Sequence, residues 1–457
     1  MAIATINPAT GETEAEFAAH TDAEIEAKIQ QSHDAFAAMK ATSFAQRGAW
    51  MNAAADLLEA EVETAARMLT TEMGKTIVQA RGEVLKSAKN LRFYAEKAEE
   101  FMTGRELPAA AVGASRAYTT YEPIGAILAV MPWNYPLWQV IRFAAPALMA
   151  GNTVLLKHAS NVPQSALYLE SIFLRGGFPA GSFNTLLIGA AKVEGVLRDR
   201  RVVAATLTGS EPAGRSVAAI AGSEVKPVVL ELGGSDPFIV LPSADLGKAV
   251  ATAVTARTSN NGQACINAKR FIVHTDIYDA FVEQFTAAMA ALRVGDPFDE
   301  TTDLGPVATA SGRDEVDELV QDALAKGATA TTGGAAIDGP GWFYPATVIT
   351  DITPEMRLYA EEAFGPVASV YRAESVEDAL RIANDTTFGL SSAVWTQDAA
   401  EQEQVIAGLV VGAVFVNGMS ISYPEVPFGG TKDSGIGREL SFEGMREFLN
   451  AKSVWVG

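Results

Sequence analysis

Short apolar runs alternating with helix-like stretches organise most of this chain. From about residue 117, IGAILAVM (124–131), NTVLL (152–156), FNTLLI (183–188), VVAATL (202–207) and VVLEL (228–232) are separated by segments of helical periodicity. Continuous apolar runs of this length fit strands buried on both faces, so the rhythm predicts βαβ units and a parallel sheet with helices on both sides. A second set follows, with a helix near 244–258, a strand at 270–274, a helix near 276–293 and further alternation to about 420. Two α/β units are expected, with the change-over soon after Glu231. The first hundred residues read as helices: Thr21 stands at an N-cap ahead of Ile25 and Ile29, and Trp50, Ala54, Leu57, Leu58 and Val62 form an apolar stripe. SRAYTTYEP (115–123) and LNAKSVWVG (449–457) read as strands with no home in either sheet, open to pairing with a neighbouring subunit or to a simple edge hairpin.

At 457 residues the chain exceeds what one ordinary hydrophobic core serves. Its net charge of −20 repels phosphate, which argues against nucleic acid as a partner. No apolar run reaches the roughly 18 residues of a membrane span, and MAIATINPATGETEAEF carries no secretory signal, so a cytoplasmic enzyme is expected. One cysteine excludes an internal disulfide and fits a reducing compartment. The histidines (20, 33, 158 and 274) lack ligand spacing, so no metal site is expected.

Four places carry candidate chemistry. Cys265 lies in SNNGQACINAKR (259–270), a stretch poor in bulky apolar groups that favours a loop and an accessible thiol. A lone cysteine taken by itself is better read as a small core residue, so its neighbours in the sequence must decide. Glu231 interrupts the apolar strand VVLEL and precedes Gly233-Gly234; desolvation there raises a carboxyl towards a general base's working range, unless its side chain reaches water past the glycines. Asn134 sits between Pro132 and Pro136 beyond the first strong strand, where its amide can donate to a developing oxyanion or simply complete a turn. In TLTGSEPAGRSVA (206–218), Gly209, Ser210 and Gly214 mark a strand-to-helix join that lets backbone approach a pyrophosphate, although the G-x-G-x-x-G pattern is absent.

Taken together, these motifs resemble the aldehyde dehydrogenase superfamily in order and spacing. In that family an asparagine follows a proline–tryptophan pair, a glutamate opens an E-L-G-G run and G-Q-x-C supplies the nucleophile. GNTVLLKHAS (151–160), EEAFGPV (361–367) and PFGGTKDSGIGRE (427–439) add to the likeness, which runs from INPATGE to the last residues. Within the family, ELGGSDPFIVL (231–241), KHASNVP (157–163) and NYPLWQVIR (134–142) are most similar to short bacterial succinate-semialdehyde dehydrogenases. The resemblance implies an α/β fold with a Rossmann-type cofactor domain (1–106 and 122–231), an α/β catalytic domain (232–438) and a small β oligomerisation extension (107–121 and 439–457). It also implies a homodimer or homotetramer.

The resemblance assigns Cys265 as covalent nucleophile, Asn134 as oxyanion donor and Glu231 as the base that activates hydrolytic water. It assigns Lys157 to the adenosine ribose, Ser210 and Trp133 to the phosphates, and Glu362 with Phe364 to the nicotinamide ribose. Gly209, Gly214, Leu232 and Asn134 complete the implied cofactor site. Members with strict NAD preference often carry glutamate where this chain has Ser160. Lacking that carboxylate beside Lys157, the site is expected to prefer NADP while accepting NAD. For an aldehyde with a distal carboxylate, Arg142 and Ser422 beside Trp138 are the candidate ligands, against the plainer reading of Arg142 as a surface arginine paired with a local acid. The alternatives are another semialdehyde or aliphatic aldehyde as substrate, or a non-catalytic dinucleotide-binding protein of the same fold.

Overall fold

The computed structural model describes residues 2–457. Two sheets dominate it. The first has six strands in the order Gly435–Ile436, Val228–Glu231, Val202–Thr208, Ala126–Val130, Thr153–Lys157 and Phe183–Thr185, parallel except for the first. Side chains alternate across it as the two-residue period of a strand demands. Ile127 and Ala129 join the core beneath the helices Phe44–Ala60, Ile77–Phe101 and Trp138–Ala150, while Ala126 and Leu128 face Ile25, Ile29 and Leu197 on the other side.

The second sheet has seven strands: Thr329–Thr332, Thr347–Thr350, Val367–Ala373, Ala268–His274, Asp236–Val240, Ser391–Trp395 and Ala413–Val416, antiparallel only at the first pair. Phe238 and Phe271 point into one core, Ile239 and Ile272 into the other. The chain passes between the sheets through residues 232–235, and it later returns so that Gly435 pairs beside Glu231.

The reading of the first hundred residues as helices needs correction. The chain opens with an antiparallel pair, Ile3–Ile6 with Thr13–Phe17, before the first helix. The second strand is exposed and polar (TEAEF), so it gives no apolar signal. The two strands without a sheet pair with each other, Arg116–Pro123 against Leu449–Val456, in unbroken antiparallel register. The N-terminal helix Asp22–Ala41 does begin at Thr21, whose hydroxyl accepts from the Glu24 N–H while Glu24 reaches back to the Thr21 N–H. The apolar stripe from Trp50 to Val62 crosses a break at Glu61 and belongs to two helices, Phe44–Ala60 and Val62–Met73.

Candidate active site

The candidate residues gather where the first sheet's strands end at their carboxyl edge, the position at which open α/β sheets hold ligands. Beyond Ala126–Val130 the chain makes the turn that carries Asn134, and the turn is held from two sides. His158 donates its Nε2–H to the Pro136 carbonyl at 2.9 Å, while its Nδ1 accepts the Ala159 N–H at 2.9 Å. Burial lowers that imidazole's pKa to about 4, so it is neutral at ordinary pH. From the other side, Glu83 accepts the N–H groups of Leu137 (2.8 Å) and Trp138 (3.0 Å). No local side chain caps the helix Trp138–Ala150, so this remote carboxylate satisfies its first donors and complements its positive end. Lys75 neutralises Glu83 in a fully buried pair and lies 4.0 Å above the Tyr135 ring.

Cys265 follows a turn in which Asn260 (φ 58°) and Asn261 (φ 56°) adopt the left-handed conformation that asparagine tolerates better than most residues. Their amides pin the loop. Asn260 donates to the carbonyls of Asn134 (2.8 Å) and Gln263 (3.0 Å), and Asn261 to those of Gly74 (2.8 Å) and Pro306 (2.9 Å). Asn134 donates its own amide to the Gln263 carbonyl at 3.1 Å. Residues 260–264 and Asn267 are buried, while Ile266 and Cys265 itself are partly exposed. Its surroundings are Tyr135, Trp138, Ile266, Leu390, Phe428 and Leu440. Desolvation pushes its thiol up to about 12, against the opposing charges of Arg142 and Lys269.

Glu231 ends its strand fully desolvated, with neither carboxylate oxygen hydrogen-bonded among the described residues. Burial holds it well above the usual carboxylate range. Glycines make this placement possible. A Cβ on Gly429 would stand 2.8 Å from Glu231 Oε1, and one on Gly234 would stand 2.7 Å from the Cys265 carbonyl. The E-L-G-G turn therefore runs directly against the nucleophile loop. The Asn134 turn and the turn after Glu231 thus both meet the Cys265 loop.

The cofactor candidates line the same edge. Ser210 precedes the helix Glu211–Ser223 without making a cap bond of its own, leaving its hydroxyl and the helix's first N–H groups available to an anion. Gly214 lets that helix close on Leu232, and Gly233 donates to Glu211 at 3.1 Å. Trp133 and Phe364 meet edge to face at 5.6 Å. Glu362 pairs with Lys269 at 2.8 Å, and Lys269 also donates to the Cys265 carbonyl at 2.6 Å, joining the nucleotide side to the nucleophile loop. Lys157, at its strand end, is half-buried with no acid within ion-pairing distance among the described residues, and burial lowers its pKa. Ser160 lies close by, its carbonyl accepting from Ala4 at 3.0 Å.

The model of the Aldehyde dehydrogenase family matches residues 1–454. The chain belongs to the aldehyde dehydrogenase family. It is 64% identical over 456 residues to a succinate-semialdehyde dehydrogenase [NADP(+)] 1 of Mycobacterium tuberculosis, covering all of both chains. It is 63% identical over 458 residues to a succinate-semialdehyde dehydrogenase [NADP(+)] of Mycolicibacterium paratuberculosis, covering all of this chain and 97% of that one. The solved succinic semialdehyde dehydrogenase of Streptococcus pyogenes with NADP+ superposes with a TM-score of 0.96, at 37% identity and with 99% of each chain covered.

On the substrate side this aldehyde dehydrogenase departs from the sequence reading. Arg142, expected to meet Ser422 at a substrate carboxylate, is 1% exposed, pairs with the buried Glu439 and lies 4.4 Å over the Phe428 ring. The plainer reading had a local acid as its partner; the acid is far in sequence and the pair is buried. Ser422 meets Lys86 instead, at 2.8 Å. Lys86 and the Lys75–Glu83 pair were missed because they fall in no motif, whereas Lys269 and Glu439 lie inside SNNGQACINAKR and PFGGTKDSGIGRE and were passed over because their ion-pair partners are remote in sequence. The available signal was a polar series at Glu83, Lys86 and Asn90, spaced to share one face of the helix Ile77–Phe101.

Proposed function

We propose that this aldehyde dehydrogenase oxidises succinic semialdehyde to succinate with NADP+, through covalent catalysis at Cys265. The observation that carries the catalytic part is the meeting of the Asn134 turn, the E-L-G-G turn and the Cys265 loop at one partly exposed thiol. Full-length identity of 64% to an enzyme of that name supports the substrate and the cofactor.

The Cys265 sulfur attacks the aldehyde carbon, and the oxygen that gains charge is held by the Asn134 amide. The dinucleotide, when bound, accepts the hydride. Cys265 then carries the acyl group as a thioester. Glu231 takes a proton from water, the resulting hydroxide adds to the thioester carbonyl, and succinate leaves as the thiol is restored. Desolvation is what equips Glu231 for this step, because it raises a carboxyl's affinity for the proton it must accept. Arg142 and Lys269 oppose the same effect at Cys265 and favour its thiolate.

The residues present fit a dinucleotide. Ser210, Trp133 and the helix start behind Ser210 would hold the pyrophosphate, Glu362 with Phe364 would hold the nicotinamide ribose, and Lys157 would offer an uncompensated cation near Ser160 to a 2′-phosphate. Residues 1–106 and 122–231 form the cofactor unit, 232–438 the catalytic unit, and 107–121 with 439–457 the assembly element of a homodimer or homotetramer. Support for assembly comes from the ribbon Arg116–Pro123 with Leu449–Val456, which joins neither large sheet and leaves Trp455 and Val456 exposed. A lone cysteine fits a cytoplasmic setting.

The test is a steady-state comparison of succinic semialdehyde, glutaric semialdehyde and butanal with NADP+ and NAD+. The expected result is the highest kcat/KM for succinic semialdehyde with NADP+. A higher value for butanal overturns the substrate, and a higher value with NAD+ overturns the cofactor.

A further inference from the structure

The strand Ala268–His274 begins with an irregularity. Ala268 stands opposite Asp236 and Arg270 opposite Pro237, so Lys269 is an extra residue in that ladder, a bulge. A bulge breaks the strict alternation of a strand and re-aims the side chain it carries. Here the side chain turns back on the loop that precedes it. The buried Lys269 ammonium donates to the Ala264 carbonyl at 2.9 Å and to the Cys265 carbonyl at 2.6 Å, and it pairs with Glu362 at 2.8 Å. The two carbonyls bracket the nucleophile along the chain.

The Ala264 carbonyl belongs to the same peptide unit as the Cys265 N–H. That unit is planar and trans, so the N–H points away from the C=O, and whatever fixes the carbonyl fixes the direction of the N–H. The carbonyl is held twice, by Lys269 and by the Asn267 N–H at 3.1 Å. The Cys265 N–H itself donates to no group among the described residues. One peptide unit earlier, the Gln263 carbonyl accepts from the Asn134 amide. An oriented and unspent donor thus follows directly on the unit to which Asn134 is tied.

We propose that Lys269 is a positioning residue for this reaction: by holding the Ala264 and Cys265 carbonyls it aims the Cys265 N–H at the oxygen that gains charge, as a second donor beside Asn134. The inference rests on the catalytic reading above and names the group that prepares its oxyanion site.

The charge of Lys269 adds to the geometry. A cation on the carbonyl oxygen polarises the whole amide and makes its N–H a stronger donor. Glu362 compensates that cation in an interior that would otherwise penalise it. The same cation also favours the Cys265 thiolate, against the rise that desolvation causes. Action on the peptide N–H and action on the thiol are therefore separated by experiment.

Two reactions separate them. Alkylation of Cys265 by iodoacetamide in the cofactor-free enzyme needs the thiolate and no oxyanion donor. Hydrolysis of the acyl-enzyme develops an oxyanion and needs no thiolate. Wild type and Lys269→Met are compared in both, with circular dichroism and NADP+ affinity measured alongside. For hydrolysis, enzyme loaded with NADP+ is mixed with less than one equivalent of succinic semialdehyde and quenched in acid, and the acylated Cys265 peptide is followed by mass spectrometry. Lys269→Met is expected to slow hydrolysis roughly 10- to 100-fold, less than the loss of a whole donor, because the N–H is misdirected and not removed. Alkylation is expected to slow by a smaller factor. Unchanged hydrolysis, a loss in alkylation as large as that in hydrolysis or larger, or a loss confined to NADP+ affinity overturns the role. Should Lys269→Met not fold, Lys269→Gln takes its place under the same criteria. A wild-type enzyme that forms no acyl group on Cys265 refutes the catalytic reading itself, and Lys269 falls with it.

Discussion

The Asn134 side chain donates to the backbone carbonyl of Gln263, two residues before Cys265, at 3.1 Å. An amide NH2 has two donors, so the bond that locks Asn134 onto the nucleophile loop leaves one N–H for an oxyanion. Asn134→Ala is expected to lower kcat by about 10²- to 10³-fold, the usual consequence of removing one such donor. NADP+ affinity is expected to hold. Steady-state kinetics beside a cofactor-binding titration check this, and a loss confined to KM speaks against the role.

Cys265 and Glu231 are both acids whose pKa values burial raises, and both act in their deprotonated forms. Raising the pH populates those forms, so kcat/KM is expected to climb from mildly acidic to alkaline conditions. In Glu231→Gln the acyl-enzyme accumulates. Stopped-flow measurement is expected to show a burst of reduced cofactor near one equivalent, then turnover slowed by roughly 10²- to 10⁴-fold. A burst-free time course contradicts the deacylation role.

Ser160 lies three residues beyond Lys157, which has no acid within ion-pairing distance among the described residues. Placing a carboxylate there by Ser160→Glu repels a 2′-phosphate. Like charges about 4 Å apart cost about 1 kcal/mol in water and about 4 kcal/mol at an effective dielectric of 20. The ratio of kcat/KM for NADP+ over NAD+ is expected to fall roughly tenfold or more.

Arg142 and Glu439 form a pair sealed from solvent. Arg142→Met strands the Glu439 carboxylate and is expected to destabilise the fold by about 3–5 kcal/mol. The double change Arg142→Met with Glu439→Leu is expected to recover much of that loss. Thermal unfolding checks both.

The parts legible in the sequence were those written in local pattern. The apolar runs at 124–131 and 228–232 announced strands because both faces of each are buried. In the sequence, the glycines after Glu231 read only as a way for its side chain to reach water; their place is explained instead by Gly234, where a Cβ would stand 2.7 Å from the Cys265 carbonyl. What escaped depends on pairing across long sequence separations. Thr13–Phe17 is an exposed polar strand, recognisable only through its partner Ile3–Ile6. Arg142 looked available as a substrate ligand because Glu439 lies almost 300 residues away, and nothing local reveals that the two meet in the interior.

The most direct measurement of the central claim is mass spectrometry of Glu231→Gln quenched in acid during turnover of succinic semialdehyde with NADP+. A succinyl group on the peptide containing Cys265, lost on prolonged incubation and never formed in Cys265→Ser, is the predicted result. Cofactor reduction at an unimpaired rate in Cys265→Ser, or an unmodified Cys265 while reduced cofactor accumulates, would contradict covalent catalysis at this thiol.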